Sequence, residues 1–186
     1  AASDVYKRQE RSGSKITVLV IDHHVPLYDQ DAGSRSTFQY LKLLVSAGCN
    51  VKFLGDNFFK HEPYTSELEA MGIEVLAGEY YRKNWKAWLE SNSGYVDIIY
   101  LMRPHVAQRF LEGLSSLNEK PKLIYFGHDL HYLRLQRQAE LERSQGLEKE
   151  AAIWKKREFQ IFGEVDLIYY PSEAEVVEIL KVEPSL

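Results

Sequence analysis

Cysteine is nearly missing from this chain of 186 residues. Cys49 stands alone, so an internal disulfide, a thiolate zinc site and a dithiol redox pair are all excluded. No apolar run comes near the ~20 residues that a membrane-crossing helix requires, and the stretch before Lys15 lacks the apolar segment of a secretion signal. Positive charge is not in surplus, since 27 acidic residues outnumber 23 Lys and Arg for a formal net charge of -4. A broad basic surface for nucleic acid is thereby disfavoured. Neither G-x-G-x-x-G nor a Walker A loop occurs, which removes the dinucleotide and P-loop fingerprints. H-E-x-x-H is also missing, and no metal site is expected. What is present is 45% hydrophobic and 27% charged, an ordinary soluble composition with length for one sizeable core and one domain. Twelve Tyr, eight Phe and three Trp suit a core as well as ring stacking, so they do not discriminate between functions. A cytoplasmic location is expected.

Residues 1–14 are polar and break from the pattern that follows. Ser3 to Gln9 resembles the translation of a sequencing adaptor, with a natural disordered arm as the alternative, and the domain is taken as residues 15–183. The abrupt stop at Pro184-Ser185-Leu186 adds to the expectation that the chain is a piece of a longer protein.

From Lys15 onward strand and helix patterns alternate. Lys15 to Ile21 is an unbroken aliphatic and β-branched run, the pattern of a parallel strand covered on both faces. A loop from Asp22 to Ser34 leads to a helix from Thr37 to Ala47, closed by Gly48. Val51 to Leu54 and Ile73 to Leu76 read as short strands, separated by a helix that opens near Pro63 and stops at Gly72. Asn84 is expected to cap a short helix with Trp85, Trp88 and Leu89 inward. Val96 to Leu101, Lys122 to Phe126 and Asp166 to Tyr170 supply the remaining strands. Pro104 opens a helix with Val106, Phe110, Leu114 and Leu117 on one stripe. The charged stretch from about Leu133 to Phe162 reads as solvent-facing helices broken at Ser144 to Gly146. Ser172 with Glu175 fits a capping box before a helix whose apolar face is Val176, Val177, Ile179 and Leu180. The alternation predicts an α/β fold, a doubly wound parallel sheet with right-handed crossovers.

Polar chemistry gathers after the strands. All six histidines follow predicted strands: His23 and His24 the first, His61 the second, His105 the fourth, His128 and His131 the fifth. In a parallel sheet those loops share one edge, where open α/β proteins bind ligands. Asp29, Asp31, Arg35, Arg103, Asp129, Ser172 and Glu173 fall at the same edge. Loops are polar in any case, which accounts for the aspartates and arginines better than for the histidines. Gly33, between Asp31 and Arg35, either admits a phosphate to backbone N–H groups at a helix start or simply serves a turn. His128, directly after a strand, is a candidate hydrogen-bond partner or weak base for a substrate hydroxyl, with a structural role equally open. Arg103 is a candidate for binding phosphate or carboxylate, and Glu173 is equally a helix-dipole partner. His128, Asp129 and His131 also allow a metal-dependent hydrolase, and a non-catalytic α/β ligand-binding module fits the same pattern.

In chain order, Asp31-Ala32-Gly33-Ser34-Arg35 follows the first strand, Phe126-Gly127-His128-Asp129 the fifth, and Tyr170-Pro171-Ser172-Glu173 the sixth. Together they resemble the N-terminal half of a GT-B glycosyltransferase of family 4, of the bacterial surface-polysaccharide type, over Lys15 to Leu180. The resemblance implies a Rossmann-like domain, one of two facing across a cleft. The enzyme it implies is retaining and moves a sugar from a nucleotide-sugar donor to a glycan or lipid-linked acceptor. By position it puts His128 and Asp129 at the reacting sugar and Gly33, Ser34 and Arg35 near the donor phosphates. His23, His24, Arg103, His105, His131, Ser172 and Glu173 then line the acceptor side. It implies no metal, no cofactor besides the nucleotide-sugar co-substrate, and a cytoplasmic protein at most peripheral to the inner membrane face. Ala32-Gly33 stands where many relatives have two glycines. The C-terminal donor domain with its Glu-x7-Glu signature is absent from the 186 residues, so the fragment is expected to fold without transferring sugar.

Overall fold

In the computed structural model, which describes residues 15–186, the first strand shows why the sheet is covered on both faces. β1 (Thr17–Asp22) is buried at every position. Its alternate side chains enter opposite cores, Leu19 and Ile21 one, Val18 and Val20 the other. That is the period-two geometry of a pleated strand. β2 (Asn50–Gly55), β3 (Glu74–Val75), β4 (Ile98–Met102), β5 (Lys122–Phe126) and β6 (Leu167–Tyr169) complete the set. They form a six-stranded sheet of order β3-β2-β1-β4-β5-β6, parallel at every pairing. The chain therefore adopts the Rossmann-like, doubly wound α/β fold.

Helices cover both faces because the sheet is wound outward from β1 in one direction and then from β4 in the other. α1 (Ala32–Ser46) and α2 (Tyr64–Ala70) place Leu41 and Leu68 in the core that holds Val18 and Val20. α3 (Glu79–Asn92), α4 (Pro104–Ser115) and α6 (Gln145–Gly163) bring Trp85, Phe110, Leu114 and Phe162 to the opposite core. The stripe predicted for α4 is therefore its buried face, and each such side chain contributes about 1.5–3 kcal/mol of burial. α5 (His131–Glu142) packs along α6, and α7 (Glu173–Val182) follows β6. β1 hands the chain to α1 on one face, and β4 hands it to α4 on the other. The carboxyl ends of these neighbouring strands are thus the switch point of the sheet, where a crevice opens.

Local structure departs from the sequence pattern in several places. α1 begins at Ala32 rather than Thr37, because the Asp31 carboxylate accepts the Ser34 amide at 2.8 Å and caps it. Gly33, Ser34 and Arg35 therefore lie in a helical first turn, not a loop. A helical segment does start after Asn84, with Trp85, Trp88 and Leu89 buried as expected, but it continues from an earlier one that opens at Glu79. Asn84 lies at the kink between them (φ -123°, ψ 16°), and its side-chain amide donates to Tyr80 O at 2.9 Å instead of capping the second segment. Ser172 precedes α7 without a side-chain cap, since Glu175 instead accepts the Leu130 amide at 2.9 Å. Val176, Val177 and Leu180 are 38%, 46% and 40% exposed, and only Ile179 of that stripe is buried. Glu158, within the run read as solvent-facing, is 0% exposed. The reading of residues 1–14 lies outside the described residues. Among the described residues no helix is long and apolar enough to cross a membrane.

Candidate functional site

β1 ends in a carboxylate at the switch point. Asp22 is 1% exposed and stays anionic because its oxygens are engaged. Oδ1 accepts from Arg103 Nε at 2.8 Å and from the His23 amide at 2.7 Å, and Oδ2 accepts from Thr37 Oγ1 at 2.8 Å. The His23 ring nitrogen Nδ1 lies 3.1 Å from the same Oδ1. Burial by itself raises the pKa of Asp22; the His23 hydrogen bonds and the Arg103 charge outweigh it and hold the group well below the usual carboxylate range.

Arg103 reaches Asp22 from the start of α4. Its backbone lies at φ 70° and ψ 141°, a sparsely populated conformation for a residue with a Cβ, costing on the order of 1–3 kcal/mol. With Nε committed to Asp22, the buried Nη2 has no hydrogen-bond partner among the described residues. It lies against Gly33, where an added Cβ would come within 2.7 Å of it. The Ser34 and Arg35 amides are both taken by Asp31, at 2.8 and 3.1 Å. The amides of Ala32 and Gly33 are left without an intrahelical acceptor. An unpaired guanidinium N–H beside a helix N-terminus is an arrangement that favours an anion.

His128 follows β5 at the same edge. Its ring meets the Phe126 ring at a centroid separation of 5.0 Å, and its buried Nε2 has no hydrogen-bond partner among the described residues. Burial first, then the Arg103 charge, lower its pKa, so the ring is neutral near pH 7 and offers a nitrogen to a hydroxyl. Gly127 before it has no room for a side chain, because an added Cβ would lie 2.1 Å from the Tyr170 ring. The Gly127 amide also donates to Tyr169 O at 3.0 Å. The Gly-His-Asp turn and the Tyr-Pro-Ser-Glu segment are therefore packed against each other.

The other candidates divide. His23, His24, His61 and His105 form a row, with ring centroids 3.5 Å apart for His23 and His24, 5.6 Å for His24 and His61, and 6.2 Å for His23 and His105. Ser34 turns inward, 1% exposed, and its hydroxyl donates to Asp31 at 2.6 Å. Arg35 is exposed, its Nε donating to Tyr28 O at 3.3 Å, and with Tyr40, Phe126 and Pro171 it lines a cavity of about 590 Å³. Asp129 accepts from Arg134 Nε at 2.7 Å, and the same guanidinium lies 2.6 Å from His131 Nδ1. His131 also packs edge-on to Trp154 at 4.6 Å. Ser172 is half-buried and Glu173 exposed at the start of α7. Among the described residues no group of three or more His, Cys, Asp or Glu is placed to hold a metal ion.

Three participants escaped the sequence reading. Asp22 was readable as the charged residue ending an otherwise apolar strand. Glu158 shares a helix face with Trp154, Ile161 and Phe162 by three- and four-residue spacing, a carboxylate on an apolar stripe. From there Oε1 accepts the His131 amide at 3.0 Å and Oε2 the Tyr132 amide at 2.8 Å, capping α5 just after the His128 turn. Thr37 carried no signal.

Fold and site together define a Rossmann-like α/β protein with a polar crevice at the sheet's switch point. No protein-family model and no curated protein matches the chain. Among solved structures it is similar to a protein of unknown function from Vibrio parahaemolyticus, at 12% identity and a TM-score of 0.40, over 87% of this chain and 96% of that one. A likeness at that level carries no functional argument.

Proposed function

We propose that this domain is the acceptor-side half of a retaining glycosyltransferase that uses a nucleotide-sugar donor. The observation that carries the reading is the gathering of Gly33, Arg103 and His128 at one edge, with two buried nitrogens, Arg103 Nη2 and His128 Nε2, lacking hydrogen-bond partners among the described residues. As the sugar–phosphate bond breaks, negative charge grows on the departing diphosphate. Preorganised donors at that position lower the barrier. Arg103 Nη2 and the Ala32 and Gly33 amides take that role, while Asp22 holds the guanidinium in place. His128, kept neutral, hydrogen-bonds a hydroxyl of the reacting sugar or acceptor through Nε2. The remaining donor contacts belong to a facing domain, so this chain alone turns over no sugar.

A hydrolase built on His128, Asp129 and His131 gains no support, because Asp129 and His131 both engage Arg134. Calorimetric titration of the 186-residue chain with UDP, GDP and ADP tests the transferase reading. At least one nucleotide is expected to bind with a Kd on the order of 1 mM, and Gly33→Ala, which puts a methyl group against Arg103 Nη2, abolishes it. Failure of all three to bind contradicts the reading and leaves a ligand-binding module of other specificity.

A further inference from the structure

Away from Arg103 the edge changes character. From His105 through His23 and His24 to His61, the groups are imidazoles rather than fixed cations, and their hydrogen-bond roles follow from their neighbours. His23 Nδ1 lies 3.1 Å from Asp22 Oδ1, and His24 Nδ1 lies 2.8 Å from Val25 O. Those oxygens only accept, so each Nδ1 carries a hydrogen, and an imidazole whose one N–H is at Nδ1 presents Nε2 as an acceptor. Asn57 Oδ1 takes the Phe59 amide at 3.0 Å, which turns the Asn57 amide nitrogen toward His61 Nε2 at 2.9 Å. His61 Nε2 therefore accepts, and its Nδ1 donates. Burial lowers the pKa of His24; burial together with His23 and Arg103 lowers that of His105. The row thus mixes acceptors with donors. An anion calls for donors only, whereas a sugar hydroxyl both donates and accepts.

Phe59, two residues before His61 in the chain, is 65% exposed, and its amide donates to the same Asn57 side chain that meets His61. The loop that presents it is held firmly. Phe58 before it is 3% exposed and lies at φ 58°, an unusual backbone for a bulky side chain. The Phe58 amide donates to Gly55 O at 2.8 Å, and Phe58 O accepts the Gly78 amide at 2.7 Å. Asn57 fixes the Phe59 amide as described. A buried, strained anchor thus fixes the backbone of an exposed aromatic residue that shares Asn57 with His61, and an exposed aromatic face stacks on the C–H side of a pyranose ring.

We propose that the imidazole row and Phe59 bind the acceptor as a neutral, hydroxyl-rich glycan. Its distal sugar stacks on Phe59, and its reacting end passes His23 and His105 to reach Arg103 and His128. The proposal rests on the transferase reading. Its test is an amide ¹H–¹⁵N titration of the 186-residue chain with maltose, cellobiose, lactose and diacetylchitobiose. At about 10 mM sugar, above a Kd on the order of 1 mM, at least one shifts Phe59 to His61 together with His23 and His24. Phe59→Ala weakens that binding roughly tenfold, and Phe59→Tyr restores it. Phe59 is a surface residue, and an otherwise unchanged spectrum verifies that the variants fold. No shifts with any of the four sugars, or shifts indifferent to Phe59→Ala, overturn the proposal. If a nucleotide still binds at Gly33 while no sugar binds, only this inference falls; if neither binds, the transferase reading falls with it.

Discussion

Replacing Glu158 by Gln isolates one buried ionisation beside the site. Burial raises the Glu158 pKa from 4.5 to about 7; the Tyr132 and His131 amides pull it down, Asp129 pushes it up, and Arg134 lowers it. In the unfolded chain the group titrates at its ordinary value. Between the two values the native state binds more protons than the unfolded state, so stability falls as pH rises through that window. The contribution is fully present below about pH 4.5 and lost above about pH 7. At 1.36 kcal/mol per pKa unit the change across the window is about 3 kcal/mol. Histidines whose pKa is lowered by burial, His24, His105, His128 and His131, titrate nearby with the opposite sign. The quantity to read is therefore the difference between wild type and Glu158→Gln, in which they cancel. Gln keeps one acceptor but turns an NH2 group toward the other amide, a loss of about 1–3 kcal/mol at any pH. In urea unfolding the stability difference is expected to favour wild type strongly near pH 5 and to shrink by about 3 kcal/mol by pH 8. A difference that stays constant from pH 5 to pH 8 refutes the assignment of a raised Glu158 pKa.

Gly127→Ala drives a methyl group into the Tyr170 ring and should destabilise the domain by about 1–3 kcal/mol, read from its urea midpoint. Arg103→Ala leaves the buried Asp22 carboxylate without its cation, a loss of about 3 kcal/mol at neutral pH. Thermal or urea unfolding should show that loss shrinking as the pH falls, because without Arg103 burial raises the Asp22 pKa against fewer opposing groups and the carboxylate takes a proton more readily. Gly33→Ala sits in the first turn of α1, so its unfolding free energy should stay within about 1 kcal/mol of wild type while calorimetry shows nucleotide binding gone. Wild-type nucleotide affinity in that variant would remove Gly33 from the site.

The sheet was legible because its signals are local. Lys15 to Ile21 reads as a doubly covered strand, and Val106, Phe110 and Leu114 read as one stripe, without reference to anything distant. The gathering of histidines on one edge followed from the parallel alternation alone. What the sequence did not display are contacts between residues far apart in it. Asp22 with Arg103, Gly127 with Tyr170, and Glu158 with the start of α5 each join segments whose spacing has no period. Two local rules also misled. The pairing of Ser172 with Glu175 matched a capping box, yet Leu130 competes for the Glu175 carboxylate. Asn84 matched an N-cap and does precede a helical segment, yet its side chain donates back to Tyr80 O and accepts no amide of that segment.

The most direct test of the central claim is where a nucleotide sugar lands on the chain. Amide ¹H–¹⁵N spectra with UDP-glucose, GDP-mannose and ADP-glucose at about 10 mM, ten times a millimolar Kd, should shift Ala32 to Arg35, Arg103 and His128. The imidazole ¹⁵N signals of His128 should move with them. Shifts confined to another face of the sheet, or none with any of the three, would contradict a transfer site at the Gly33, Arg103 and His128 edge.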